Sequence, residues 1–242
     1  MKIAIAQLEP VKGDIEKNIA IHTDWIKKAI DKHADLIAFP ELSLTGYEPE
    51  LAPSLASNQN DKRLDSFQKL SDENDIAIAV GLPTRERDRL YISMIIFRPG
   101  KERTTYSKQY LYPTEVSIFT AGFNPLVLEF DTATVAPAIC YELSNKEHYE
   151  FAAQNNATVY LASVLNSVNG VDADLKKLSD IARNYKMMTF MANFVGESGG
   201  YKCAGKSSVW NTNGELIEQL DDKEAGLIIY DTTTGKSSIV ST

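Results

Sequence analysis

Lys2-Ile3-Ala4-Ile5-Ala6-Gln7 and Asp35-Leu36-Ile37-Ala38-Phe39 bracket a stretch in which Ile15, Ile19, Ile26 and Ile30, with Trp25 beside them, recur at helical spacing. Two short apolar runs joined by an amphipathic helix reaching about Lys32 make a β-α-β unit, whose strands belong in one sheet. Outward from this unit the alternation continues. Helices are expected near residues 62–73, 146–155 and 172–187. Strands are expected near 76–82, 90–97, 104–106, 126–130, 134–139, 158–163, 189–194, 206–211, 215–220 and 226–230. Residues 46–60, with Pro49 and Pro53, read as loop or broken helix, and residues 107–124 as a long functional loop. The charged run 84–89 reads as a solvated hairpin tip, residues 126–139 as a hairpin around Asp131-Thr-Ala, and Asn213-Gly214 as a two-residue hairpin turn. Residues 76–80 and 159–163 are apolar on both faces, which requires layers on each side of a sheet. The class is therefore α/β with two similar halves.

Composition sets outer limits. The 242 residues are 43% hydrophobic and 24% charged, ordinary for a globular chain. With no Pro/Gly/Ser-rich linker or charge block, a single domain over residues 1–242 is expected. The N-terminal apolar run is too short and too soon interrupted for a secretory signal, so a cytoplasmic location is expected, with no membrane partner. The formal charge of −8 disfavours nucleic acid. Two cysteines, Cys140 and Cys203, make no disulfide framework and are expected as free thiols.

The chemistry is sought at Thr134-Val-Ala-Pro-Ala-Ile-Cys140-Tyr-Glu-Leu-Ser-Asn145. An apolar strand stops at a thiol and passes into a polar segment, a place where backbone N–H groups can stabilise a thiolate or an oxyanion. A buried cysteine at a strand end is more often inert core. Glu41 changes that weighting, because it too follows a strand, and the carboxyl ends of parallel strands converge on one edge of an α/β sheet. Two other patterns carry less. Gly200-Tyr-Lys-Cys-Ala-Gly205-Lys206-Ser207 satisfies the phosphate-loop pattern, but a β-hairpin is expected after it where phosphate binding needs a helix. His22, His33 and His148 lack ligand spacing, so no metal site is expected, and His22 is expected to pack in the core.

Phe39-Pro-Glu41-Leu-Ser-Leu-Thr-Gly-Tyr47, Tyr106-Ser-Lys108-Gln-Tyr-Leu111 and Ala138-Ile-Cys140-Tyr-Glu142 resemble, in order and spacing, the three catalytic motifs of the nitrilase, or carbon-nitrogen hydrolase, superfamily. The resemblance extends through Ala192-Asn-Phe-Val-Gly196 and the hairpin of residues 207–215. It implies a four-layer α-β-β-α sandwich, dimerisation or higher homo-oligomerisation, and no cofactor. It also implies a Glu41-Lys108-Cys140 triad: Glu41 as general base, Cys140 as nucleophile, and Lys108 with the Tyr141 backbone N–H as oxyanion donors. Glu115 matches an additional glutamate that orients the substrate or the lysine. Tyr47, Glu142, Val164 and Asn166 are candidate pocket residues, and Cys203 is a bystander.

The implied activity is hydrolysis of a non-peptide carbon-nitrogen bond, foremost a small linear amide. The alternatives are a nitrilase, an N-carbamoyl hydrolase, or a catalytically silent binding protein on the same fold. Departures from the family pattern concern the substrate. Leu143-Ser-Asn-Lys-Glu147 stands where many members have Arg-Phe-Pro-Glu, Tyr110 where a histidine is common, and Val164-Leu165-Asn166 follows the strand ending at Ser163.

Overall fold

The structure, a computed structural model, describes residues 1–241. From the N-terminus, β1 (Lys2–Gln7), α1 (Ile15–Asp31) and β2 (Leu36–Ala38) form the β-α-β unit; α2 (Ala52–Leu55) and α3 (Asp65–Asn74) lead to β3 (Ala77–Glu86), β4 (Arg89–Phe97) and β5 (Thr104–Ser107). A long loop precedes β6 (Leu128–Phe130), β7 (Ala133–Ile139), α4 (Lys146–Gln154), β8 (Val159–Ser163), α5 (Val171–Tyr185) and β9 (Met188–Ala192). The chain then runs through β10 (Glu197–Ser198), β11 (Tyr201–Lys202), β12 (Ser208–Trp210), β13 (Leu216–Gln219), β14 (Gly226–Asp231) and β15 (Lys236–Ser241).

While β10 and β11 pair separately, of the two large sheets one has the order β15-β14-β1-β2-β3-β4-β5 and the other β13-β12-β9-β8-β7-β6. Each contains a parallel trio, β1-β2-β3 and β7-β8-β9, extended on both sides by antiparallel strands. Side-chain alternation then assigns the layers. Ile3, Ile5, Leu36 and Ala38 meet Val135, Ile139, Val159 and Leu161 of the opposite sheet in one buried cluster. The opposite faces of the same strands turn Ala4, Ala6, Ile37 and Phe39 toward Trp25, Ile26 and Ala29 of α1 and Phe67 of α3. In the second half Ala136, Ala138, Tyr160 and Ala162 pack under Ala152 of α4 and Leu178, Ile181 and Ala182 of α5. The result is the α-β-β-α sandwich, with every parallel strand buried on both faces.

Three local expectations change. Asn213-Gly214 does close a hairpin, but its loop is Thr212-Asn-Gly214, because Asn211 N donates to Glu215 O at 3.0 Å. Only Gly214 adopts positive φ, at 76°, the pattern of a three-residue turn with a left-handed closing glycine. The edge strand β15 was not anticipated: Lys236-Ser-Ser-Ile-Val-Ser241 is largely exposed and too polar to show a strand period. Thirdly, the polar segment that follows the strand opens as one 3-10 turn, Cys140–Ser144.

Candidate active site

Three strand ends and a loop build the site. Pro40 and Glu41 leave β2 in a tight turn in which Ser43 N donates to Pro40 O at 3.2 Å and Leu42 takes a left-handed φ of 53°. Gly81 of β3 lets this turn dock: a Cβ there would fall on the backbone N of Leu42, while Leu44 N donates to Gly81 O at 2.9 Å. Gly81 N–H also donates to Ser43 Oγ at 3.1 Å, and Ser43 Oγ lies 2.9 Å from His22 Nε2. His22 Nδ1 lies 2.6 Å from Asn18 O, so the ring is a neutral donor-acceptor bridge; burial lowers its pKa to about 3. His22 therefore braces the glutamate turn from inside the core.

Lys108 is reached at the end of β5. Its backbone N donates to Ile92 O of β4, and its carbonyl accepts from Gly122 N, each at 2.8 Å, so the long loop is pinned at both ends. Its side chain is fully buried. Nζ donates to Glu41 Oε1 at 2.7 Å and to Glu115 Oε1 at 2.8 Å. Glu115 also accepts from the Tyr47 hydroxyl and from Tyr112 N, both at 2.7 Å. Glu41 Oε2, by contrast, is buried without a hydrogen-bond partner among the described residues.

Cys140 follows β7 at a left-handed φ of 45°, an uncommon conformation for a residue with a side chain. Its Sγ contacts Leu165 O at 3.7 Å. Tyr141 follows on the first turn of the 3-10 segment, where backbone N–H groups have no partner within the helix. Ser163, at the end of β8, donates to the Phe39 carbonyl and so ties the two sheets together at this edge.

The electrostatics follow from burial. Glu41 is pushed up to about 7 by desolvation and the nearby Glu115, outweighing the pull of Lys108. Burial alone would lower Lys108, yet Glu41, Cys140 and Glu115 hold it above its ordinary value. The Cys140 thiol is raised well above its usual range, first by burial and then by Glu41. The junction therefore does not hold a ready-made thiolate; the resting pair is a thiol beside a carboxyl poised near neutrality.

Glu41, Glu115 and Cys140 face a cavity of about 330 Å³, lined also by Tyr47, Tyr141 and Asn166 among others, while Lys108 lies buried behind Glu41 and Glu115. Two candidate pocket residues lie elsewhere. Val164 is fully buried against the α4 and α5 side of the sheet, and Glu142 points away from the cavity into a polar network of its own. The strand leading to Val164 buries alternate residues on opposite faces, which puts Leu165 and not Val164 at the cavity. Sequence reasoning missed Tyr112, Ser144, Ser167, Asp174, Lys177 and Tyr201, which also line the cavity. Only the departure at Leu143-Ser-Asn145 signalled any of them: Ser144 Oγ accepts from Lys177 Nζ at 2.7 Å, joining the 3-10 turn to α5.

The phosphate-loop pattern forms β11, a short loop and then β12, with no helix where one would hold phosphate. Lys206 Nζ pairs with Asp172 Oδ1 at 3.1 Å. Cys203 is buried, with its pKa raised to about 11 by that burial. Among the described residues no helix is long and apolar enough to cross a membrane.

An α-β-β-α sandwich that brings a cysteine and a glutamate to one cavity, with a buried lysine hydrogen-bonded to that glutamate from a third segment, defines a class of thiol-containing α/β proteins. The carbon-nitrogen hydrolase family model matches residues 2–236, and the chain belongs to that family. It is 28% identical over 231 residues to a "Hydrolase in agr operon" of Staphylococcus aureus, covering 92% of this chain and 87% of that protein. It is 27% identical to a glutamine-dependent NAD(+) synthetase of Aquifex aeolicus, covering 98% of this chain but only 43% of that protein. An (R)-stereoselective amidase of Pseudomonas sp. is 25% identical, over 90% of this chain and 80% of its own. Among solved structures, an amidase of Nesterenkonia sp. AN1 superimposes with a TM-score of 0.87 at 24% identity, covering 96% of this chain and 92% of that one.

Proposed function

We propose that the chain hydrolyses a small linear amide to a carboxylate and ammonia through a Cys140 thioester, with Glu41, Lys108 and Cys140 as the catalytic residues. The observation that carries this reading is the division of labour on Glu41: Oε1 is taken by Lys108, while Oε2 is buried, unpartnered and on the wall shared with Cys140. A buried acceptor without a donor is costly, and a thiol, an amide N–H or a water would each satisfy it.

In the first half-reaction Glu41 Oε2 takes the thiol proton as Sγ attacks the amide carbon. A base with a pKa near 7 is both populated and effective at neutral pH. Negative charge develops on the amide oxygen. Lys108 has three donor protons and spends two on Glu41 and Glu115, leaving the third for this oxyanion, with the Tyr141 N–H as its companion. Collapse breaks the C–N bond as Glu41 returns the proton to nitrogen, releasing ammonia and leaving the thioester. Glu41 then deprotonates a water that attacks the thioester, giving the carboxylate and restoring the thiol. Glu115, fixed by Tyr47 and Tyr112, holds the lysine in aim.

Amides lead because the amidases among the relatives and structural neighbours point there, including a complex of the Nesterenkonia enzyme with butyramide. Nitriles and N-carbamoyl compounds are the alternatives within the class. A homodimer or larger homo-oligomer, a cytoplasmic location and a single domain belong to the same reading. Ammonia release from a panel of amides, nitriles and N-carbamoyl compounds, with wild type against Cys140→Ala, tests it. Loss of turnover in the variant supports the thioester route, and turnover unaffected by the substitution overturns it.

A further inference from the structure

Behind the cavity lies a second buried cluster that the mechanism above does not use. Glu142 is fully buried and accepts four contacts from two directions. Gln109 N donates to its Oε1 and Ile139 N to its Oε2, both at 2.6 Å, and the Tyr106 hydroxyl lies 2.9 Å from each oxygen. Gln109 is the residue after Lys108, and Ile139 is the residue before Cys140. One carboxylate thus holds the backbones of two segments that the sequence separates by about thirty residues.

The network continues outward. Tyr106 Oη lies 2.7 Å from His148 Nε2, and His148 Nδ1 lies 2.8 Å from the Tyr160 hydroxyl. Proton counting sets its direction. The backbone N–H groups can only donate, so they favour an ionised Glu142. The single Tyr106 proton then belongs to the carboxylate, which requires Tyr106 Oη to accept from His148 Nε2–H, as it accepts from Gln109 Nε2 at 3.3 Å. His148 Nδ1 is left as the acceptor for Tyr160. Every donor is spent once, and the chain Tyr160 to His148 to Tyr106 ends on Glu142. The titratable and charged groups facing Glu142 are Tyr106 and Lys108 from the β5 side, His148 from α4 and Tyr160 from β8. Tyr110 packs edge-on to His148, with ring centroids 6.2 Å apart.

We infer that Glu142 is a positioning residue, clamping the Lys108 and Cys140 segments at one distance, and that the Tyr106-His148-Tyr160 chain favours its charged form against the opposing effect of burial. The inference rests on the roles proposed for Lys108 and Cys140. Glu142→Gln keeps the volume but turns an N–H₂ toward one of the two backbone N–H groups, so one clamp opens. Tyr106→Phe keeps both clamps and removes the third donor, which makes the carboxylate easier to protonate.

The test follows butyramide hydrolysis and alkylation of Cys140 by iodoacetamide, each against pH. For Glu142→Gln the expected result is a loss of about tenfold or more in kcat and in the alkylation rate, with KM within about twofold. For Tyr106→Phe a new acid limb is expected about one pH unit above that of wild type, with the rate at high pH within about twofold. Wild-type alkylation in Glu142→Gln, or an equal loss at every pH in Tyr106→Phe, overturns the inference. Should Glu142→Gln not fold, the Tyr106→Phe profile decides. Hydrolysis surviving in Cys140→Ala would instead bring down the underlying mechanism, whatever the Glu142 variants do.

Discussion

Glu41 turns one carboxylate oxygen to the ammonium of Lys108, 2.7 Å away in the interior, and leaves the other without a partner at the cavity wall. The lysine thereby orients the carboxylate without consuming it. Burial keeps the group near pKa 7 in spite of its cationic neighbour, so a base survives next to a cation.

Removing that cation has two consequences. In Lys108→Met the buried carboxyls of Glu41 and Glu115 lose their shared partner. Breaking a buried ion pair from one side costs about 3–5 kcal/mol, and loss of an oxyanion donor costs about 10²–10³-fold in rate. Urea unfolding and ammonia release measure the two effects. A variant of wild-type stability and activity would remove Lys108 from both roles.

Gly81 is expected to matter although it touches no substrate. Gly81→Ala drives a methyl into the backbone of Leu42, and overpacking of this kind costs about 1–3 kcal/mol. The turn carrying Glu41 must move, so hydrolysis should fall by about tenfold or more, beyond what the stability change explains. Ammonia release at a temperature where the variant is fully folded checks this. Unchanged turnover would show that the glutamate turn tolerates displacement.

The buried carboxyls also set the pH dependence of stability. Glu41 and Glu142 are both raised to about 7 by burial, so the folded chain binds their protons more tightly than the unfolded chain does. Their contribution is present in full below the unfolded pKa of about 4.3 and is lost as pH rises through about 7. Glu41→Gln breaks the pair with Lys108 at any pH but needs no proton to stay neutral, so its stability measured against wild type should improve as pH rises from about 5 to about 8. A difference in urea midpoint that stays constant between the two pH values would contradict the assignment. Such a result would also argue against a site that trades stability for a base.

Much of this was legible from residues alone. The β-α-β period and the doubly apolar strands marked an α/β chain with layers on each side of a sheet, because these features depend on neighbours in sequence, whereas the two facing sheets and the grouping of Glu41, Lys108 and Cys140 were implied only by the resemblance of three ordered motifs. What escaped depends on side chains meeting across the fold. The pocket wall of Asp174 and Lys177 lies on the polar side of an amphipathic helix, where solvated residues look the same as lining ones. Glu142, placed in the pocket by its nearness to Cys140, turns inward because the 3-10 turn rotates it toward Ile139 N. The edge strand β15 gains its pairing from β14 and not from its own composition.

The central claim is that Glu41 activates Cys140, and the most direct measurement is the rate of Cys140 alkylation by iodoacetamide from about pH 5 to 9 in wild type and Glu41→Gln, read by peptide mass. Cys203 in the same digest serves only as a control for burial. The wild-type rate is expected to rise through about pH 7 with the ionisation of Glu41, and the variant to be at least about tenfold slower with that inflection gone. Equal rates and equal profiles in the two proteins would show that the thiol does not use this carboxylate.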